Sequence, residues 1–208
     1  MLSTIKSYGL NGIEGYLVKC EVDINAGLPG YDIVGLVSTA IKESKERVKS
    51  AIKNSALNYP IVKITVNLAP ADTKKDGPVY DLPIAIGILS ASDQVKIEAT
   101  KDYIMFGELG LDGGVRKING VLPILISARL DGYKKVIIPK ENCTEASFIE
   151  GMEIYGVETL KQAVDFLNGE IEIKPTEHSD FEDMRKKKKK ALDFKYVRGQ
   201  AQAKRALE

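Results

Sequence analysis

The run Asp81-Leu-Pro-Ile-Ala-Ile-Gly-Ile-Leu-Ser-Ala91 carries apolar side chains on nearly every face of a helix. A helix apolar all round has to be covered on every side, so the rest of the chain must wrap it in packed elements. Asp81 reads as its N-cap, Pro83 is tolerated in the first turn, and Gly87 marks a close approach by another backbone. The covering material is there: 208 residues, of which 44% are apolar, supply a substantial core without disulfides or a metal.

Around that helix the periodicity alternates between strand and helix. Tyr16, Val18, Cys20, Val22 and Ile24 fall on one side of a period-2 pattern, with Lys19, Glu21 and Asp23 on the other. YDIVGL (31–36) reads as a further strand after the turn AGLPG, so the opening is expected to be antiparallel. The run LVSTAIKESKERVKSAIKNSALN (36–58) has apolar residues at 37, 40, 41, 48, 51 and 52, helical spacing, with Ser38 or Thr39 as an N-cap and Pro60 just beyond the end. IVKITVNL (61–68) alternates again and predicts a strand with one buried face. Asp112-Gly113 between YIMFGELGL and GVRKI signals a hairpin. A helix over about 120–130, a strand at KKVIIPK (134–140), a strand at MEIYGVE and a helix at LKQAVDFL complete an α+β domain with a mixed sheet and packed helices.

Charge divides the chain. Residues 1–182 carry 20 Lys and Arg against 26 Asp and Glu, a balance of −6, whereas 183–205 carry 10 against 2, a balance of +8. The expected organisation is a domain over 1–169, a basic linker over 170–192, and from 193 the first helix of a further module, so that the chain reads as a fragment of a longer protein. Cys20 and Cys143 lack CxxC spacing and fit a reducing cytoplasm. No signal peptide and no run near the ~20 apolar residues of a membrane helix is present.

Several chemistries lack their residues. No Gly-Lys pair occurs anywhere, so the GxxxxGK[ST] phosphate loop is missing. The lone His178 has no partner for a metal site. The run Arg185–Lys190 offers a sequence-blind attraction to phosphates, with no aromatic residue interleaved to stack a base; a solvated linker explains it as well.

The series DGPVYDLPIAIGIL, FGELGLDGGVRKINGVLPILISAR and KKVIIPKEN resembles the Lon-type protease domain, in which a KDGPSAG loop supplies a serine nucleophile and a lysine follows on the helix after a GELGL-like hairpin. Still closer is the resemblance to the N-terminal domain of the ComM/YifB family of magnesium-chelatase-like AAA+ ATPases, carried by GLPG, VGL, KITVNLAPAD, YDLPIAI and the terminal GQAQAKRAL. The resemblance covers essentially the whole chain. It implies a Lon protease C-terminal domain-like fold, of the ribosomal protein S-five domain-two-like type; the cysteine usage and the lack of a signal or membrane segment add the expectation of a cytoplasmic protein with no membrane association.

Aligned in this way, the nucleophile position holds Val79 and the lysine position Leu122, and neither side chain attacks or takes a proton. Ser90 and Ser92 follow on the apolar helix without an evident activating partner. The resemblance further implies that Val197, Gly199 and Gln200 edge an ATP site in the intact protein, which binds ATP and Mg, forms a homo-hexameric ring and acts as an ATP-driven DNA branch-migration motor in natural transformation. No cofactor is expected for these 208 residues alone, and no hydrolysis of peptide or ATP. The domain's own work is then ring assembly or engagement of DNA or a partner, with Lys42, Lys45, Arg47, Lys49 and Lys53 on the long helix, or Lys186, Lys187, Lys188, Lys189 and Lys190 in the linker, as cationic candidates. A cryptic Lon-like serine peptidase and a structural collar that never touches DNA are the alternatives.

Overall fold

The alternating run at Lys63 and the continuous apolar run at Lys135 lie in the same sheet, and the difference between them marks where helices cover it. In the computed structural model, which describes residues 1–180 and 198–207, seven strands stand in the order β3-β4-β2-β1-β5-β8-β9. They are β1 (Leu2–Asn11), β2 (Glu14–Asn25), β3 (Gly30–Val34), β4 (Lys63–Ala69), β5 (Tyr103–Met105), β8 (Lys135–Pro139) and β9 (Glu153–Val157). A separate hairpin pairs β6 (Glu108–Leu109) with β7 (Val115–Arg116) across the Asp112-Gly113 turn.

Buried side chains form two clusters, one on each face of the sheet. Ile64, Val66 and Leu68 of β4 and Val18, Cys20 and Val22 of β2 join the larger cluster with α1 (Thr39–Asn54), α2 (Asp81–Ala91) and α6 (Leu160–Asn168). The opposite faces of those two strands are mostly polar. In β8, Val136 and Ile138 belong to the smaller cluster under α4 (Val121–Leu130) and α5 (Cys143–Ala146), while Ile137 between them joins the larger. One half of the sheet is therefore covered on one face and the other half on both, as alternating and continuous patterns require. All of α2 is buried, as its sequence predicts, and α3 (Ile97–Thr100) closes the turn after it.

Two expectations are corrected here. β3 does not form a hairpin with β2; it lies at the sheet edge, parallel to β4, because α1 supplies the crossover that two parallel neighbours need. The neighbour pressed on Gly87 is a side chain: a Cβ there would stand 2.6 Å from Val22 Cγ2. The helix is further tied to β1 by Ser3 Oγ, which donates to the Gly87 carbonyl at 2.7 Å.

By contacts the chain divides into units Met1–His178 and Ser179–Glu208. Beyond α6, Ile173 packs on the larger cluster and the Thr176 amide donates to the Ile154 carbonyl at 2.8 Å. In the second unit α7 (Ala201–Leu207) has no buried side chain. No helix among the described residues is long and apolar enough to cross a membrane.

Candidate functional site

Between β4 and α2 the chain makes the glycine- and proline-containing loop that the sequence singles out. Lys75 fastens it to the β3–α1 connection: its amide donates to the Leu36 carbonyl at 2.9 Å and its carbonyl accepts from the Ser38 amide at 3.0 Å. The Lys75 side chain is wholly buried, its Nζ donating to the Thr73 carbonyl at 2.7 Å, and desolvation lowers its affinity for the proton. Next to it, Asp76 accepts from the Gly77 amide at 2.8 Å; the Ser38 hydroxyl and that amide hold its carboxyl below the usual range. Gly77 has φ +81°, a backbone state that glycine adopts without strain, and it delivers the chain into the short turn Pro78–Tyr80.

At the tip, Val79 packs against both clusters, and among the described residues it is the one partly buried hydrophobic side chain packed against the two. Its carbonyl accepts from the Gly107 amide at 2.9 Å, which pins the loop to the segment before the hairpin. Leu122 is half-buried on the smaller cluster. Both positions are thus occupied by packing groups.

A cavity of about 440 Å³ opens beside the tip, and Asp76, Val79, Tyr80, Glu108, Lys117 and Asn119 are among its lining. Leu122 is not. Glu108 Oε1 stands 3.7 Å from Arg116 Nη1, while Lys117 enters no ion pair among the described residues. Burial raises the Tyr80 phenol far above its ordinary range, so it stays protonated. These groups can hold a polar ligand by hydrogen bonds and charge, and the Tyr8 hydroxyl in the same lining is already committed, donating to Asp131 Oδ2 at 2.6 Å. Sequence reasoning missed Glu108, Lys117 and Asn119, whose only signal was their place on either side of the hairpin.

The N-cap expectation for Asp81 is corrected. Its carboxylate caps nothing in α2; it accepts from Arg47 Nε at 2.7 Å and Arg47 Nη2 at 3.1 Å, and from the Leu109 amide at 3.3 Å. Asp81 is 1% exposed. Burial pushes its carboxyl up to about 6, outweighing the opposing pull of Arg47. Arg47 is therefore committed to the interior, which removes it from the cationic face proposed for α1. Ser38, the N-terminal neighbour of α1, likewise makes no side-chain cap.

The other named positions separate in the structure. Ser90 Oγ is buried with no hydrogen-bond partner, so no base holds its proton; Ser92 Oγ donates to the Ile88 carbonyl at 2.9 Å within its own helix. Cys20 and Cys143 are free and buried. Gly199 and Gln200 turn with φ +71° and +54° before α7. Val197 and Lys186, Lys187, Lys188, Lys189 and Lys190 lie outside the described residues.

A family model described as subunit ChlI of Mg-chelatase matches residues 20–142, more than half of the chain and the whole of the loop, hairpin and α4. The chain belongs to this ChlI family. Over 207 residues, 99% of its length, this ChlI-family chain is 40% identical to the competence protein ComM of Haemophilus influenzae. Over 209 residues, its full length, it is 38% identical to the protein YifB of Escherichia coli K12. It spans 40% of the length of each. It is also 33% identical over 186 residues to Lon protease 2 of Bacillus subtilis, an alignment with 81% of this chain and 33% of that protein.

Proposed function

We propose that residues 1–178 are a non-catalytic, Lon-protease-like domain of a ComM-like AAA+ protein, and that they serve ring assembly or the engagement of DNA or a partner. The observation that carries this reading is Val79, an isopropyl group packed against two cores; the resemblance aligns this position with the attacking hydroxyl of the Lon-type proteases, and an isopropyl group cannot attack. The Lon relative supports the fold name, and the ComM relative, by its name, supports a role for the intact protein in competence; ATP-driven branch migration of DNA is the activity this reading assigns to it.

In that reading ATP and Mg bind the intact homo-hexameric protein in the cytoplasm, Val197, Gly199 and Gln200 touch the edge of the base, and Lys186–Lys190 add phosphate contacts. This chain's own residues do not fit a triphosphate: no glycine-rich cradle with its lysine occurs in the sequence, so no nucleotide step is assigned to them.

The test uses the full-length protein. A labelled three-stranded junction is expected to be processed only with ATP and Mg, while a serine-reactive fluorophosphonate leaves the protein unlabelled and casein intact. Labelling that disappears in Ser90→Ala establishes the peptidase alternative, and a junction left unprocessed removes the DNA-motor reading.

A further inference from the structure

The domain is acidic on balance, yet one groove in it is purely cationic. A cavity of about 350 Å³ runs between α1 and the start of β3, and its lining contains Lys45, Lys49 and Lys53 and no Asp or Glu. The three lysines follow one another at four-residue spacing, so they rise along one face of α1 by about 6 Å a step and about 12 Å in all. None of them enters an ion pair among the described residues. Cations outside ion pairs at regular spacing leave a strip of positive potential, whereas Lys63, Lys101 and Lys161 are each spent on a carboxylate nearby.

The opposite wall is aromatic and apolar. Tyr31 and Tyr59 line it with Ile61, which is 81% exposed although a large aliphatic side chain in water has no favourable contact to make there. Lys45 Nζ stands 5.9 Å from the centre of the Tyr31 ring, so the first cation is held against that wall. Glu46 lies close enough to act on the Tyr59 phenol, but it is outside the lining. A cationic ladder facing half-buried rings fits a chain with regularly spaced negative charges and exposed flat faces. Double-stranded DNA offers the charges but keeps its base faces stacked inside, and an acidic peptide offers the charges without the faces.

We infer that this groove holds a short stretch of single-stranded nucleic acid, with phosphates on Lys45, Lys49 and Lys53 and a base against the Tyr59 ring. The inference rests on the DNA-engagement reading above and deepens it by naming where and in what form the strand is held. Arg47, one position of the same helix, takes no part, since it is bound to Asp81.

The experiment measures fluorescence anisotropy of a labelled twelve-residue oligo(dT) with the full 208-residue chain, in a reference form whose Arg185–Lys190 run is replaced by glutamine so that the basic segment does not contribute. With three phosphate contacts, log Kobs is expected to fall against log[salt] with a slope of about −2, and Lys49→Ala to make it shallower by about 0.7. The Lys45→Ala/Lys49→Ala/Lys53→Ala variant is expected to lose at least tenfold in affinity while keeping the circular dichroism of the reference. Tyr59→Leu, which retains apolar bulk against the core, is expected to lose about fivefold or more. Reference and triple variant binding equally would overturn the groove while leaving DNA engagement elsewhere on the protein intact. No binding by the unsubstituted chain at low salt overturns both. Competition by poly-glutamate as strong as by oligo(dT), with Tyr59→Leu unchanged, assigns the groove to acidic peptides instead.

Discussion

At the scale of single residues, the Arg47–Asp81 pair shows how a buried charge is tolerated. Asp81 sits inside the core with two bonds from a guanidinium and one from a backbone amide, and its folded pKa of about 6 is above the ~4 of an unfolded chain. The native state therefore binds the extra proton more readily. The stabilisation from that proton is fully present below about pH 4 and is lost as pH rises through about 6. Above that range the carboxylate depends on Arg47. Arg47→Ala is expected to cost about 3–5 kcal/mol at pH 8, where it strands a buried charge, and distinctly less at pH 5, where the acid is neutral. Urea unfolding at the two pH values measures this, and an equal loss at both would show that the arginine acts through packing alone. The pair was not legible in the sequence, because Asp81 at the start of an apolar helix reads as a cap and 34 residues separate the partners. Val79 drew notice in the sequence only through the resemblance, and its part as a packing pin was not legible, since its contact with both clusters exists only in the fold.

Among the elements, those with strong periodicity were read from sequence nearly to their ends. The alternation from Lys63, the apolar face of α1 and the all-round apolar α2 each correspond to an observed element. What escaped was β1, the strand at the middle of the sheet. Its face toward α2 carries Ser3, Ile5 and Ser7, so buried serines hide the alternation that would otherwise announce a strand. The serines are small for a reason visible in the packing. They let α2 lie close to the sheet, and Ser3 spends its hydroxyl on a helix carbonyl. Gly87 meets the same demand from the other side. Gly87→Ala adds a carbon 2.6 Å from Val22 Cγ2, on a β-branched side chain held in the centre of the sheet. The substitution is expected to destabilise by about 1–3 kcal/mol even though alanine favours helices. In a Val22→Ala background, where the obstructing methyl groups are gone, the same change is expected to cost at least about 1 kcal/mol less, and a double-mutant cycle by chemical denaturation reads that coupling.

For the molecule as a whole, the sheet joins two cores into one body, and the question is where that body ends. Composition places the boundary at 169, because the residues after α6 are polar and lack periodicity; the first compact unit runs to His178. Two contacts separate the alternatives. Ile173 lies on the larger cluster, and the Thr176 amide reaches the Ile154 carbonyl on β9, the last strand of the sheet. A single isoleucine and one backbone bond are too little signal to register against a glutamate-rich background. They are still enough to matter energetically, since a net hydrogen bond is worth about 1 kcal/mol and partial burial of an isoleucine about as much again. Chains ending at residue 178 and at residue 169 are therefore expected to differ by about 2 kcal/mol, or about 4–8 °C in Tm for a unit of this size. Ile173→Ala in the longer chain is expected to recover part of that difference, and Thr176→Pro, which deletes the amide donor, a further part. Equal melting of the two chains would place the end of the folded body at α6 and make the segment after it a tether from its first residue.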